Sequence, residues 1–243
     1  MKMLVWLVAL TLGGIVYASP YYGELKNFNL NYYQPSGNAQ SELLIFRDIN
    51  YQTSTSYEVE LQAGSLFLIT PISTIQLDNL PAFIADVDTL TVNNLNIISH
   101  QSGIELDLEY MSSSTNSESI SIEELKISCT SLTSTQDPMD QILDQCLNNA
   151  GEVSLSRFFE GSKQQLANFT MSTENGMMDF KVTAAGKTVR GEGETYFDGN
   201  TVRIKITKAK YGIFNVRGLL FRELEELASE KIKINNPWIE IDL

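Results

Sequence analysis

Three observations predict a mainly β fold, a β-rich α+β protein built on antiparallel, curved sheet. Apolar and polar residues alternate with a period of two over much of the chain. The alternating runs are separated by tight-turn signals, and only two short stretches carry a helical spacing. In a strand, successive side chains point to opposite faces, so Ile104, Leu106, Leu108 and Tyr110 make a core face while Glu105, Asp107 and Glu109 face water.

Taken from the N-terminus, Lys2 precedes an apolar run from Met3 to Val16, and Val16-Tyr17-Ala18 puts small residues where a signal peptidase reads. Residues 1–18 are therefore expected to be a leader cleaved after Ala18. The alternative, a membrane anchor, is disfavoured because Gly13, Gly14 and Ser19-Pro20 break the run before it reaches the roughly 20 residues of a span. No transmembrane anchor is expected after cleavage, and residues 19–243 are expected to form a single exported domain, with a candidate sub-division near 150. The expected address is the periplasm or the extracellular space.

Next comes a short internal repeat. Leu90 to Ile97 (LTVNNLNI), Ile120 to Ile127 (ISIEELKI) and Ile232 to Ile239 (IKINNPWI) share one form, and Ile75 to Leu80 (IQLDNL) begins the same way. In each, a doubled polar pair interrupts the alternation, predicting a bulge or short turn at the same point of every copy. The spacings are unequal, so the pattern is not a solenoid.

Cys129 and Cys146 are the two cysteines. In an oxidising compartment an even pair is expected to bridge, and closing so short a loop contributes about 3 kcal/mol in the chain-entropy model. Within that loop Asp137, Pro138 and the stripe Ile142, Leu143, Cys146 and Leu147 predict a helix near 138–148. Farther on, Asn175-Gly176, Ala185-Gly186 and Asp198-Gly199-Asn200 are hairpin signals. They divide an antiparallel meander with strands near 177–184, 187–197 and 201–208, and Gly191 and Gly193 suggest a bulge or bend in its middle strand. A second helix is expected at 219–229, with Leu220, Leu224, Leu227 and Ala228 on one face, followed by strands 231–234 and 238–243.

Charge narrows the function classes. The formal net charge is −13, which argues against nucleic acid as a partner, since phosphate backbones recruit cationic surface. The distribution is uneven: residues 19–180 carry 5 Lys/Arg against 21 Asp/Glu, whereas residues 181–222 carry 9 against 3. Within that basic block Arg203 and Lys205 share the outer face of a strand whose inner residues are Val202, Ile204 and Ile206. Arg203, Lys205, Lys208 and Lys210 are the candidate ligand-binding residues, for an anionic head group. An internal complement to the acidic half competes with this reading.

Conventional chemistry finds few parts. His100 is the single histidine, so neither a histidine metal site nor a Ser/His/Asp triad can be assembled. The cysteines lack redox spacing, no phosphate loop follows a strand, and no cofactor or metal is expected. Glu105, Asp107 and Glu109 read as a solvated face before a Ca²⁺ site. Asn168-Phe169-Thr170 is a formal glycosylation sequon. No catalytic residue is assigned, and the protein is not expected to be an enzyme.

The strands around Asp198-Gly199, the connector Phe214 to Gly218, the amphipathic helix after it and the closing KIKI strand pair resemble the end of bacterial periplasmic AsmA-like and tubular lipid-binding domains. The resemblance covers the C-terminal quarter, from about Gly191 to Leu243, and contains no diagnostic motif. It implies a long curved sheet with an apolar concave face that holds acyl chains, and transfers no site residues. The expected function is thus a non-enzymatic envelope or secreted binding protein, with lipid or another amphiphile as ligand. The alternatives are a structural or protein-interaction component of the cell envelope and, behind it, an outer-membrane β-barrel.

Overall fold

A computed structural model describes residues 23–46, 49–62, 64–77, 87–100, 103–130, 146, 150–184, 186–198, 201–225, 228 and 232–242. The expected leader lies outside them. So does the expected helix near 138–148, except for Cys146, which is helical.

The described strands are β1 (Gly23–Tyr33), β2 (Ser36–Ser41), β3 (Leu43–Phe46), β4 (Ile49–Tyr51), β5 (Thr55–Gln62), β6 (Ser65–Ile69), β7 (Thr74–Leu77), β8 (Thr89–His100) and β9 (Gly103–Ser114). They continue with β10 (Ser119–Thr130), β11 (Ala150–Glu160), β12 (Lys163–Glu174), β13 (Met177–Ala184), β14 (Lys187–Asp198), β15 (Thr201–Tyr211) and β16 (Phe214–Asn215). Helix α1 (Arg217–Glu225) precedes β17 (Ile232–Asn235) and β18 (Trp238–Asp242).

All belong to one antiparallel, curved, open sheet. From β8 to β15 it is a plain meander, each strand bonded to the next, and it runs through residue 150 without a break. On one side β8 pairs with β1, which is followed by β2, β5, β6 and β7. On the other, β15 pairs with β18 and β18 with β17. The two outer strands, β7 and β17, share no ladder among the described residues.

The doubled polar pairs explain how a single sheet buries a core. In six neighbouring strands the buried or half-buried apolar residues step by three once: Val92 to Leu95, Leu108 to Met111, Ile122 to Leu125, Leu155 to Phe158 and Leu166 to Phe169 at one level, and Leu25 to Phe28 one rung along in β1. Elsewhere in these strands they step by two. A three-residue step keeps an apolar side chain on the same face only if the backbone rotates in between, and in four of the strands one residue makes that rotation with positive φ: Asn27 (48°), Asn94 (50°), Glu124 (52°) and Asn168 (49°). The line forms a crease across the sheet. Asn94 and Glu124 are the second polar residues of two of the repeats. In the third copy the pair falls at a hairpin, with Asn235 opposite Trp238, and in the fourth Asp78 onward lies outside the described residues.

Rotation takes backbone groups out of the ladder, and side chains replace them. The Asn27 amide donates to Asn96 Oδ1 at 3.0 Å, and the Asn94 amide donates to Asn29 Oδ1 at 3.0 Å. Buried amides left unpaired would each cost about 1–3 kcal/mol, which is why asparagine dominates this seam.

On the creased face Phe28, Leu30, Val59, Leu68, Leu108, Ile122, Leu125 and Phe158 join one cluster. Among the described residues no second layer covers them. A second cluster, at the strand ends, gathers Ile104, Cys129, Cys146, Val202, Ile204, Ile206, Ile239 and Ile241 around Phe221 and Leu224 of α1. Helix α1 starts two residues before its expected position and is capped by Asn215 Oδ1, which accepts the Arg217 amide at 3.0 Å. Its anchor is Phe221, 1% exposed, which the predicted stripe omitted; Ala228 lies beyond the helix and is exposed. The disulfide joins Cys129 to Cys146 with Cα atoms 5.3 Å apart. Next to it a Cβ on Gly151 would lie 2.7 Å from the Cys146 carbonyl oxygen, so only glycine fits.

Two outcomes are expected in urea unfolding. Glu124→Val lowers stability by about 1–2 kcal/mol, because a β-branched residue resists positive φ, while Glu124→Asn does not. The Cys129→Ser/Cys146→Ser double variant loses about 3 kcal/mol.

Candidate functional site

Opposite the core, the face of β1 and β8 to β15 carries a groove of about 1410 Å³. Its floor is two cross-strand rows set by the ladder registers. One runs Asn96, Asp107, Lys126, Ser154, Thr170, Lys181, Arg190, Lys210. The other runs Ile98, Glu105, Ser128, Glu152, Ser172, Asp179, Glu192, Lys208. Carboxylates Glu105, Asp107 and Glu152 stand at the β9–β11 end with Lys126, hydroxyls occupy the middle, and at the β13–β15 end the first row carries Lys181, Arg190 and Lys210 while the second carries Asp179, Glu192 and Lys208.

The cationic end depends on two backbone details. The hairpin after β13 pairs Ala184 with Lys187, which brings Lys181 opposite Arg190. The β14–β15 ladder then slips between Glu192 and Gly193, so that Arg190 faces Lys210 instead of Ala209 alone continuing the register. A bulge or bend is expected in the middle strand at Gly191 and Gly193; the register shifts there, but the extra residue is Thr207 on the facing strand. Gly191 is needed there, since a Cβ would run into the Phe180 ring and lie 2.6 Å from the Lys208 carbonyl oxygen.

The four sequence-predicted cations share the outer face of β15 and separate by partner. Arg203 pairs with Glu240 at 3.5 Å, and Lys205 with Glu194 at 3.1 Å while lying 5.6 Å from the Trp238 ring centre. Tyr196 packs beside the same ring and donates to Glu194. That hydroxyl first, and Lys205 second, hold the Glu194 carboxyl below its ordinary value, and the same bond raises Tyr196. Lys208 lines the groove and is bonded to Glu192 at 2.5 Å. Lys210 lines it as well, beside Lys181 and Arg190, which the basic block contained but the predicted site did not.

Among the described residues Lys181, Arg190 and Lys210 have no carboxylate partner, although like charges directly opposite on neighbouring strands oppose folding. At the acidic end one carboxylate is paired: Lys126 donates to Asp107 at 2.9 Å, a bond that raises the Lys126 pKa. Glu109 accepts from Asn94 at 3.2 Å. Among the described residues no three metal-ligating side chains converge, and no helix is long and apolar enough to cross a membrane. His100 ends β8, and Asn168 is exposed in β12 at the crease.

Comparison with family models, with characterised proteins and with solved structures finds no match.

Because the cationic row opposes folding, Arg190→Gln is expected to stabilise the free protein by about 0.5 kcal/mol at low ionic strength. The gain should shrink in salt, as thermal unfolding at two salt concentrations will show.

Proposed function

We propose that this chain is a non-enzymatic exported binding protein that holds an anionic amphiphile, its acidic head group lying on Lys181, Arg190 and Lys210. The observation that carries the reading is the register of three cations along the groove, which have no carboxylate partner among the described residues. A cost to folding without an internal partner is what a site for an external anion entails, since the ligand supplies the missing charge. The hydroxyls of Ser154, Thr170 and Ser172 lie beside the row as uncharged donors for further oxygens.

The resemblance implies acyl chains on an apolar sheet face, and the C-terminal helix lies over one such face. The space between them is filled by Phe221 and Leu224, packed against Val202, Ile204 and Ile239. The ligand is therefore assigned to the polar groove, and the resemblance to periplasmic lipid-binding domains supports the ligand class without specifying its seat. The expected leader and the disulfide agree with work in an oxidising compartment.

Titration calorimetry with monomeric dihexanoyl phosphatidylglycerol tests the reading. Binding is expected for the intact protein and for Arg203→Ala, whose parent side chain is paired with Glu240, and a loss of at least about tenfold for Arg190→Glu. Equal binding by Arg190→Glu would remove the row from the site. A second reading, an interaction component of the envelope, draws on the outer strands β7 and β17, which present unpaired edges among the described residues. A crosslinked partner retained by Arg190→Glu favours it.

A further inference from the structure

Most large apolar side chains are buried by the creased sheet or by α1. Of the exposed ones among the described residues, Tyr33, Ile72, Met177 and Tyr196 are scattered in sequence, but four fall together between positions 211 and 219: Tyr211 (43%), Ile213 (89%), Phe214 (66%) and Leu219 (49%). They belong to one local structure. β15 and β16 close a hairpin in which Tyr211 stands opposite Phe214, Gly212 at φ 57° and Ile213 make the turn, and α1 begins at Arg217.

Turn positions ordinarily favour small or polar residues, and nothing in the packing of this hairpin calls for isoleucine and phenylalanine at its tip. The charge around it is equally one-sided. From Gly199 to Arg222 the chain has no Asp or Glu and six cations: Arg203, Lys205, Lys208, Lys210, Arg217 and Arg222. Gly212 itself lines the end of the groove whose wall carries Lys181, Arg190, Lys208 and Lys210. An apolar wedge bordered by cations, in a chain of net charge −13, is complementary to one kind of surface: hydrocarbon beneath a layer of negative head groups.

We propose that the β15–β16 hairpin is a membrane-docking tip, with Ile213 and Phe214 entering the acyl boundary of an anionic bilayer. Tyr211 and Leu219 sit at head-group depth, and Lys208, Lys210 and Arg217 meet lipid phosphates. A bilayer fits the shape better than a protein partner does. A two-residue turn is narrow and convex, whereas a stable protein interface buries about 800 Å² on each side. A lipid boundary accepts a small wedge and adds electrostatic attraction. The proposal rests on the groove reading only for the charges that the two share; the apolar tip is a separate feature.

Co-sedimentation with vesicles of equal parts phosphatidylglycerol and phosphatidylcholine is the test, against vesicles of phosphatidylcholine alone. The intact protein should bind the anionic vesicles, and added salt should weaken that binding. Ile213→Ser/Phe214→Ser should weaken it by at least about tenfold while leaving dihexanoyl phosphatidylglycerol binding in the groove unchanged. Phe214→Trp gives a readout independent of affinity: its emission should shift to the blue on anionic vesicles. Unchanged vesicle binding by the double variant would overturn the tip while leaving the groove standing. So would failure of the intact protein to bind, or a double variant that merely converts a dimer into a monomer in light scattering, which would make the tip a self-association surface.

Discussion

A single β-sheet has two faces, and here the apolar one, which no separate layer covers among the described residues, is bent. The bend here is a seam of shifted side-chain phase through β1, β8, β9, β10, β11 and β12, where apolar residues step by three instead of two. Each strand keeps its apolar side inward on both flanks of the seam, because the backbone turns between a residue such as Ile122 and the next such as Leu125. Asn27, Asn94, Glu124 and Asn168 make that turn with positive φ, a conformation asparagine tolerates better than most residues. The amides it frees are taken up by Asn96 and Asn29 from the adjoining strand. The continuity of the apolar face and the polar face opposite both depend on that seam.

The groove is the other side of the same geometry. Once apolar residues are committed to the core, the alternate residues of β8 to β15 fall into straight cross-strand rows, and whatever charges they carry are aligned. At β9 and β10 the alignment puts Lys126 beside Asp107, which is locally favourable. At β13 to β15 it puts Lys181, Arg190 and Lys210 side by side, which is not. The contrast within one sheet sets the second group apart. Arg203, Lys205 and Lys208 show that this region readily pairs its cations where carboxylates stand opposite, with Glu240, Glu194 and Glu192.

The C-terminal elements close the sheet's far end. Phe221 and Leu224 seal the second cluster against β15 and β18, and the Cys129–Cys146 bridge ties the end of β10 to the same cluster. With that end filled by side chains, the exposed apolar residues that remain there lie outward, on the β15–β16 turn.

Local pattern determined most of the secondary structure. Two-residue turns at Asn175-Gly176 and before Lys187 set hairpin registers, and alternation marked the inward residues of β15 and of β9 as far as Leu108, beyond which the core residue is Met111 and not the expected Tyr110. The polar pairs at Asn93-Asn94 and Glu123-Glu124 announced an irregularity at matching points. Even the Lys181–Arg190 juxtaposition follows from counting back through the turn. Only the tertiary structure decided that those irregularities align into one crease, since β8 and β10 meet it through β9, whose own shift at Met111 carries no repeat motif. It likewise decided that Lys210 joins Lys181 and Arg190: one extra residue, Thr207, displaces the β15 register, and a bulge is chosen by packing across strands, here the Phe180 ring against Gly191, which no single stretch of sequence contains.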